Sequence, residues 1–169
     1  VCSAHTRFFI EEAIQDQFVK AVKKHVEAVN IGNGLDAGVS MGPLVADRRL
    51  DIMEGFVSNA VSEGAELLVG GERVQSAGSF YQPTLLANVP DSAQIMTEEP
   101  FGPIAPTATF ASLDDVIERP NSSPFGLAAY AFTASATTAG DLQTTIKSAS
   151  VAINSPPTHP VRQPRGGVK

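Results

Sequence analysis

With 169 residues, 43% of them hydrophobic and 18% charged, the chain can bury one sizeable core. A net charge of −6 and scattered basic residues argue against nucleic acid as a partner, which demands clustered Lys and Arg, and no apolar stretch approaches the roughly 20 residues that cross a bilayer. The lone cysteine, Cys2, cannot close an internal disulfide and is too few for a cysteine-rich zinc site. It fits a reducing compartment such as the cytoplasm, with no metal expected.

Along the chain, the run Arg7-Phe8-Phe9-Ile10 reads as a short strand. Residues 12–29 follow a helical period, with Ile14, Phe18, Val22, Val26 and Val29 on one face. Residues 30–43 carry four glycines and a proline and read as a loop. A second helix is expected over residues 46–63, with Leu50, Met53, Phe56, Val57, Ala60 and Val61 as its buried stripe and Gly64 as a left-handed C-terminal cap. Residues 66–69 read as a strand closed by Gly70-Gly71. Residues 80–89 read as a second extended stretch that Pro83 marks as an edge or irregular strand. A strand over residues 104–110 precedes a helix over 113–119, with Ser112 as N-cap and Asp114 and Asp115 in its first turn. Then come a strand over 128–133, a helix over 138–148 and a strand over 151–153; beyond Ser155 four prolines rule out regular structure. Strands alternating with helices indicate a single α/β domain with a largely parallel sheet.

Three places offer chemistry. Cys2 could be a nucleophile, since a thiolate attacks carbon readily once its proton is removed or the charge is stabilised; an inert, half-buried cysteine satisfies the same residue. In Glu98-Glu99-Pro100-Phe101-Gly102-Pro103 the prolines and glycine fix the backbone and aim Glu99 and Phe101 in set directions. A rigid carboxylate can accept hydrogen bonds from sugar hydroxyls and a ring can pack on a flat ligand; a solvated acidic loop with a core Phe is the alternative. Asn154 ends a strand and opens the proline-rich residues 155–169, where ligand-facing groups of open α/β sheets gather; a plain surface connection is the alternative. His5 and His159 could be imagined as a base beside Cys2, but an exposed or structural histidine suits each as well.

Taken together these segments resemble the aldehyde dehydrogenase superfamily over essentially the whole chain. The likeness is carried, in order, by Val1-Cys2-Ser3 with Thr6-Arg7-Phe8-Phe9, by Ile31-Gly32-Asn33-Gly34 through Met41-Gly42-Pro43-Leu44, by Gly70-Gly71, and by Phe80-Tyr81-Gln82-Pro83-Thr84-Leu85. It continues through Glu98-Glu99-Pro100-Phe101-Gly102-Pro103, Pro124-Phe125-Gly126-Leu127-Ala128 and Gly166-Gly167-Val168-Lys169. Residues 154–169 are similar in tone to the semialdehyde dehydrogenases. The resemblance implies that Cys2 is the catalytic nucleophile of an oxidoreductase that turns an aldehyde into a carboxylic acid with NAD or NADP. It further implies that Glu99 and Phe101 bind the nicotinamide side of that cofactor, and that Asn154 and Arg165 line the substrate passage.

The resemblance also implies that this chain is a carboxy-terminal catalytic piece of a longer homo-oligomeric enzyme. Its amino-terminal half, with the dinucleotide-binding domain, the oxyanion-hole Asn and the general-base Glu, and a closing oligomerisation segment would lie outside residues 1–169. The isolated chain is therefore expected to turn over negligibly; a catalytically inactive folding or oligomerisation module, or a slow cysteine esterase, are the competing readings. Four residues depart from the family pattern. His5 stands where related sequences carry a smaller or cyclic residue, and Pro120 is expected to shorten or kink its helix. Ala149 would strain the backbone if its position requires positive φ. Arg165 puts a charge where the family has an apolar wall.

Overall fold

A computed structural model describes residues 2–75, 77–155 and 166–169. The chain divides into two compact units, residues 6–109 and residues 1–5 with 110–169.

The 6–109 unit begins with β1 (Phe8–Glu11), a 3-10 turn (Glu12–Ile14) and α1 (Gln15–Glu27). After the loop come α2 (Arg48–Ser62), β2 (Glu66–Val69), β3 (Thr84–Ala87), the single-turn helix α3 (Gln94–Thr97) and β4 (Ile104–Phe110). The strands form one sheet in the order β1-β4-β3-β2, in which β3 runs parallel to β4 and antiparallel to β2. Leu85 and Leu86 point to opposite faces by the two-residue period of a strand, and both are fully buried, so the sheet is covered on both sides. One cover is the cluster in which Leu50, Met53, Phe56, Val57 and Ala60 of α2 meet Tyr81, Leu86, Val89, Ile95 and Ile104. On β2 and β3 the packing partner is α1. That helix is less buried than its stripe suggested: Phe18, Val22 and Val26 are half-buried and Ile14 is exposed.

Several expectations need correction. Val61 does not join the α2 stripe but is 43% exposed, because it lies at the margin of the face set by Leu50, Met53, Val57 and Ala60. The extended stretch around Pro83 is not an edge: β3 is interior, and Pro83 immediately precedes its first residue, a place where a missing N–H is tolerated. The helix α3 went unforeseen, since four residues show no period. Gly64 takes φ +109, and the amides of Gly64 and Ala65 bond back to the carbonyls of Val61 and Ala60, so the expected left-handed stop is present.

The other unit holds α4 (Leu113–Ser122), β5 (Ala128–Ala131), α5 (Ala136–Thr145) and β6 (Ser150–Ile153), with β5 and β6 paired in parallel. The Ser112 hydroxyl accepts from the Asp115 amide at 3.2 Å, as an N-cap should. The second helix starts earlier than its sequence pattern, at a similar cap from Ser135 to Thr138. Pro120 does not end α4, which continues to Ser122. The helix end is held by tertiary bonds instead: the Asn121 amide donates to Thr145 O (2.9 Å) and accepts from Lys147 N (2.7 Å). Lys169 Nζ donates to the carbonyls of Pro120, Asn121 and Ser123 at 3.2, 2.9 and 2.9 Å. Ala149 is not among the positive-φ residues, so its Cβ carries no backbone strain.

Candidate functional site

Residues 98–103 link the end of α3 to the start of β4, and the backbone there is fixed from several sides. Pro100 is fully buried. Gly102 lies against α2, where a Cβ would come within 2.0 Å of Met53 Sδ, so this position accepts only glycine without a shift of the core. Phe101 between them takes φ +41, a region that costs an aromatic residue about 1–3 kcal/mol and persists only where the surroundings impose it.

Two arginines impose it here. Arg7 Nε donates to Met96 O at 2.6 Å and its Nη2 to Glu98 O at 2.8 Å. Arg49 donates to Pro100 O and, at 3.4 Å, to Phe101 O. Burial lowers the Arg7 pKa while the charge of Glu99 opposes the shift; a guanidinium stays protonated throughout. With its main chain gripped, the turn directs Glu99 and Phe101 outward: Glu99 is exposed and the Phe101 ring is 52% exposed. An exposed carboxylate offers only acceptors, which suits vicinal hydroxyl donors, and the exposed ring offers a flat apolar face.

Sequence reading named Glu99 and Phe101 and missed Arg7 and Arg49, which act from 91 and 51 residues away along the chain. We expect Arg7→Met to destabilise the chain by about 1.5–3 kcal/mol, the scale of losing charged hydrogen bonds to main-chain carbonyls. Urea unfolding should show the loss as a lower midpoint at unchanged slope.

Cys2 lies in the other unit, in a turn that leaves it exposed while Ser3 beside it is only 6% exposed. The Tyr130 hydroxyl on β5 donates to Ser3 O at 2.8 Å, and the His5 ring meets the Tyr130 ring at 4.1 Å between centroids, tilted by 43°. Burial pushes the His5 pKa down, since it disfavours the charged imidazolium.

Asn154 ends β6 in the left-handed region, at φ +51. Its side chain is engaged with the main chain of Thr133, accepting from the amide at 2.9 Å and donating to the carbonyl at 2.8 Å. It thus ties β6 to the residues after β5. His159 and Arg165 lie outside the described residues.

Known proteins carry the same pattern. The sequence model of the aldehyde dehydrogenase family matches residues 1–169. Betaine aldehyde dehydrogenase of Cereibacter sphaeroides is 37% identical over 169 residues, which is 100% of this chain and 35% of that protein. Cytosolic aldehyde dehydrogenase 1 of Rattus norvegicus is 37% identical over 100% of this chain and 34% of its own length. Among solved structures, an NADP-dependent enzyme of E. coli superposes with a TM-score of 0.96 at 32% identity, covering 100% of this chain and 35% of that one. Betaine aldehyde dehydrogenase of Staphylococcus aureus, solved in complex with NAD+, superposes with a TM-score of 0.94 at 32% identity over 100% and 34%. The chain therefore spans about 35% of the length of the curated relatives it matches, and on a match that runs from its first residue to its last it belongs to the aldehyde dehydrogenase family.

Proposed function

We propose that this chain supplies the nucleophile and the nicotinamide-side contacts of an enzyme that oxidises an aldehyde to a carboxylic acid with NAD or NADP. The observation that supports the reading is the family match over residues 1–169, in a chain whose one thiol is exposed and whose Glu99 and Phe101 are exposed on an arginine-held turn.

In this reading the Cys2 sulfur attacks the aldehyde carbon, forming a carbon–sulfur bond while the carbonyl oxygen gains negative charge. In the same reading the backbone N–H of Cys2 donates to that oxygen and stabilises the developing charge. When bound, the cofactor supplies the acceptor for the hydride that leaves the substrate carbon. Cys2 then holds the acyl group as a thioester, which water cleaves to the acid and the regenerated thiol. Glu99 accepts hydrogen bonds from ribose hydroxyls and Phe101 packs beside the flat ring. Asn154, at the end of β6, borders the substrate passage. The assembled enzyme is a homo-oligomer of the reducing cytoplasm.

The test is aldehyde-dependent reduction of NAD or NADP, followed by the absorbance of the reduced cofactor. The chain alone is expected to show none above background. Adding a protein that carries the remainder of the length spanned by its relatives is expected to restore it. A stable complex that never turns over would instead favour an inactive association module.

A further inference from the structure

Of residues 2–5, only Ser3 is buried, and the side chains of Ser3 and Ala4 are too small to anchor a turn by packing. Such a segment needs an outside hold if its thiol is to meet a substrate in one orientation, because an unrestrained chain loses conformational entropy on every productive encounter. One such hold comes from a side chain on β5. Tyr130 sits in a strand paired residue for residue with β6, opposite Ala152. It reaches a segment 127 positions earlier in the chain through its hydroxyl bond to Ser3 O and through the His5 ring that lies against its own. Ser3 directly follows the cysteine, so its bonded carbonyl fixes the Ser3–Ala4 peptide plane, one peptide beyond the Cys2–Ser3 plane, and restrains the turn that carries the thiol.

We infer that Tyr130 and His5 are positioning residues for the nucleophile: the phenol hydroxyl and the paired rings pin the Cys2 turn to β5. The inference rests on reading Cys2 as the nucleophile, and it gives His5, a departure from the family pattern, a defined purpose. His5 is the aromatic surface on which Tyr130 settles.

Because Cys2 is the sole cysteine, its alkylation by iodoacetamide reports the turn without aldehyde or cofactor. Tyr130→Phe keeps the ring and removes only the donor. Iodoacetamide needs access to the sulfur but no fixed orientation, so releasing the turn is expected to raise the high-pH plateau of the alkylation rate about two- to ten-fold, the equivalent of one neutral hydrogen bond, while the thermal midpoint stays unchanged. His5→Ala is expected to act in the same direction, and the double variant to exceed the larger single effect only slightly, since both work through one contact. Unchanged plateaus in both single variants would overturn the pin. So would increases that track a fall in the thermal midpoint. An error in the nucleophile reading itself shows separately, as cofactor reduction that survives Cys2→Ala in the assembled enzyme.

Discussion

Replacing Cys2 with alanine is expected to lower kcat for aldehyde oxidation by roughly 10,000-fold or more, the scale seen when a covalent nucleophile is removed. The measurement is steady-state turnover of the chain assembled with the rest of the length its relatives span. The effect should be large because the covalent step is lost and residues 1–169 hold no second thiol to inherit it. Stability should hardly change, since the residue is exposed and its removal opens no cavity in the core. Turnover and unfolding therefore separate cleanly for this substitution. A loss of activity matched by a loss of fold would mean that alanine had damaged the turn rather than the chemistry.

The second large effect is expected at Glu99. Glu99→Ala should lower kcat/KM for the cofactor by at least about 100-fold. Two charge-assisted hydrogen bonds to ribose hydroxyls are lost, each contributing about 1.5–3 kcal/mol, and 1.36 kcal/mol corresponds to a factor of ten. Glu99→Gln keeps acceptor geometry but loses the charge and should fall between the two. Aldehyde KM should move little in either variant. Because the turn is gripped through main-chain carbonyls of residues 96, 98, 100 and 101, changing this exposed side chain leaves its backbone in place. The defect should accordingly be confined to cofactor use.

The fold was legible wherever a local signal was strong. Ser112 before two aspartates marked a helix start, Gly64 marked a stop, and the apolar period from Leu50 to Ala60 marked the core face. Errors arose where tertiary context decides. Pro83 looked like an edge marker, yet it stands just outside an interior strand. Pro120 looked like a helix stop, yet Asn121 and Lys169 hold the helix end past it. No local reading of residues 113–122 could anticipate a lysine 49 positions further on.

The same division applies to the candidate site. Glu99 and Phe101 stood out because prolines and a glycine surround them, which is a signal contained in six consecutive residues. Arg7 and Arg49 did not, because an arginine that binds main-chain carbonyls leaves no mark in the sequence of its partner. A hint existed in the turn itself: an aromatic residue held at φ +41 needs external support, and long guanidinium donors are the groups best shaped to bridge adjacent carbonyls. Tyr130 was hidden for the same reason, since a phenol on a short strand reads first as packing.

The most direct test is to mix the assembled enzyme with aldehyde and oxidised cofactor, quench in acid within a single turnover, and weigh the chain by mass spectrometry. A covalent acyl group should be found on the peptide containing residue 2, appearing with reduced cofactor and disappearing as the acid is released. Reduced cofactor formed at full rate while that peptide keeps its unmodified mass would contradict the account.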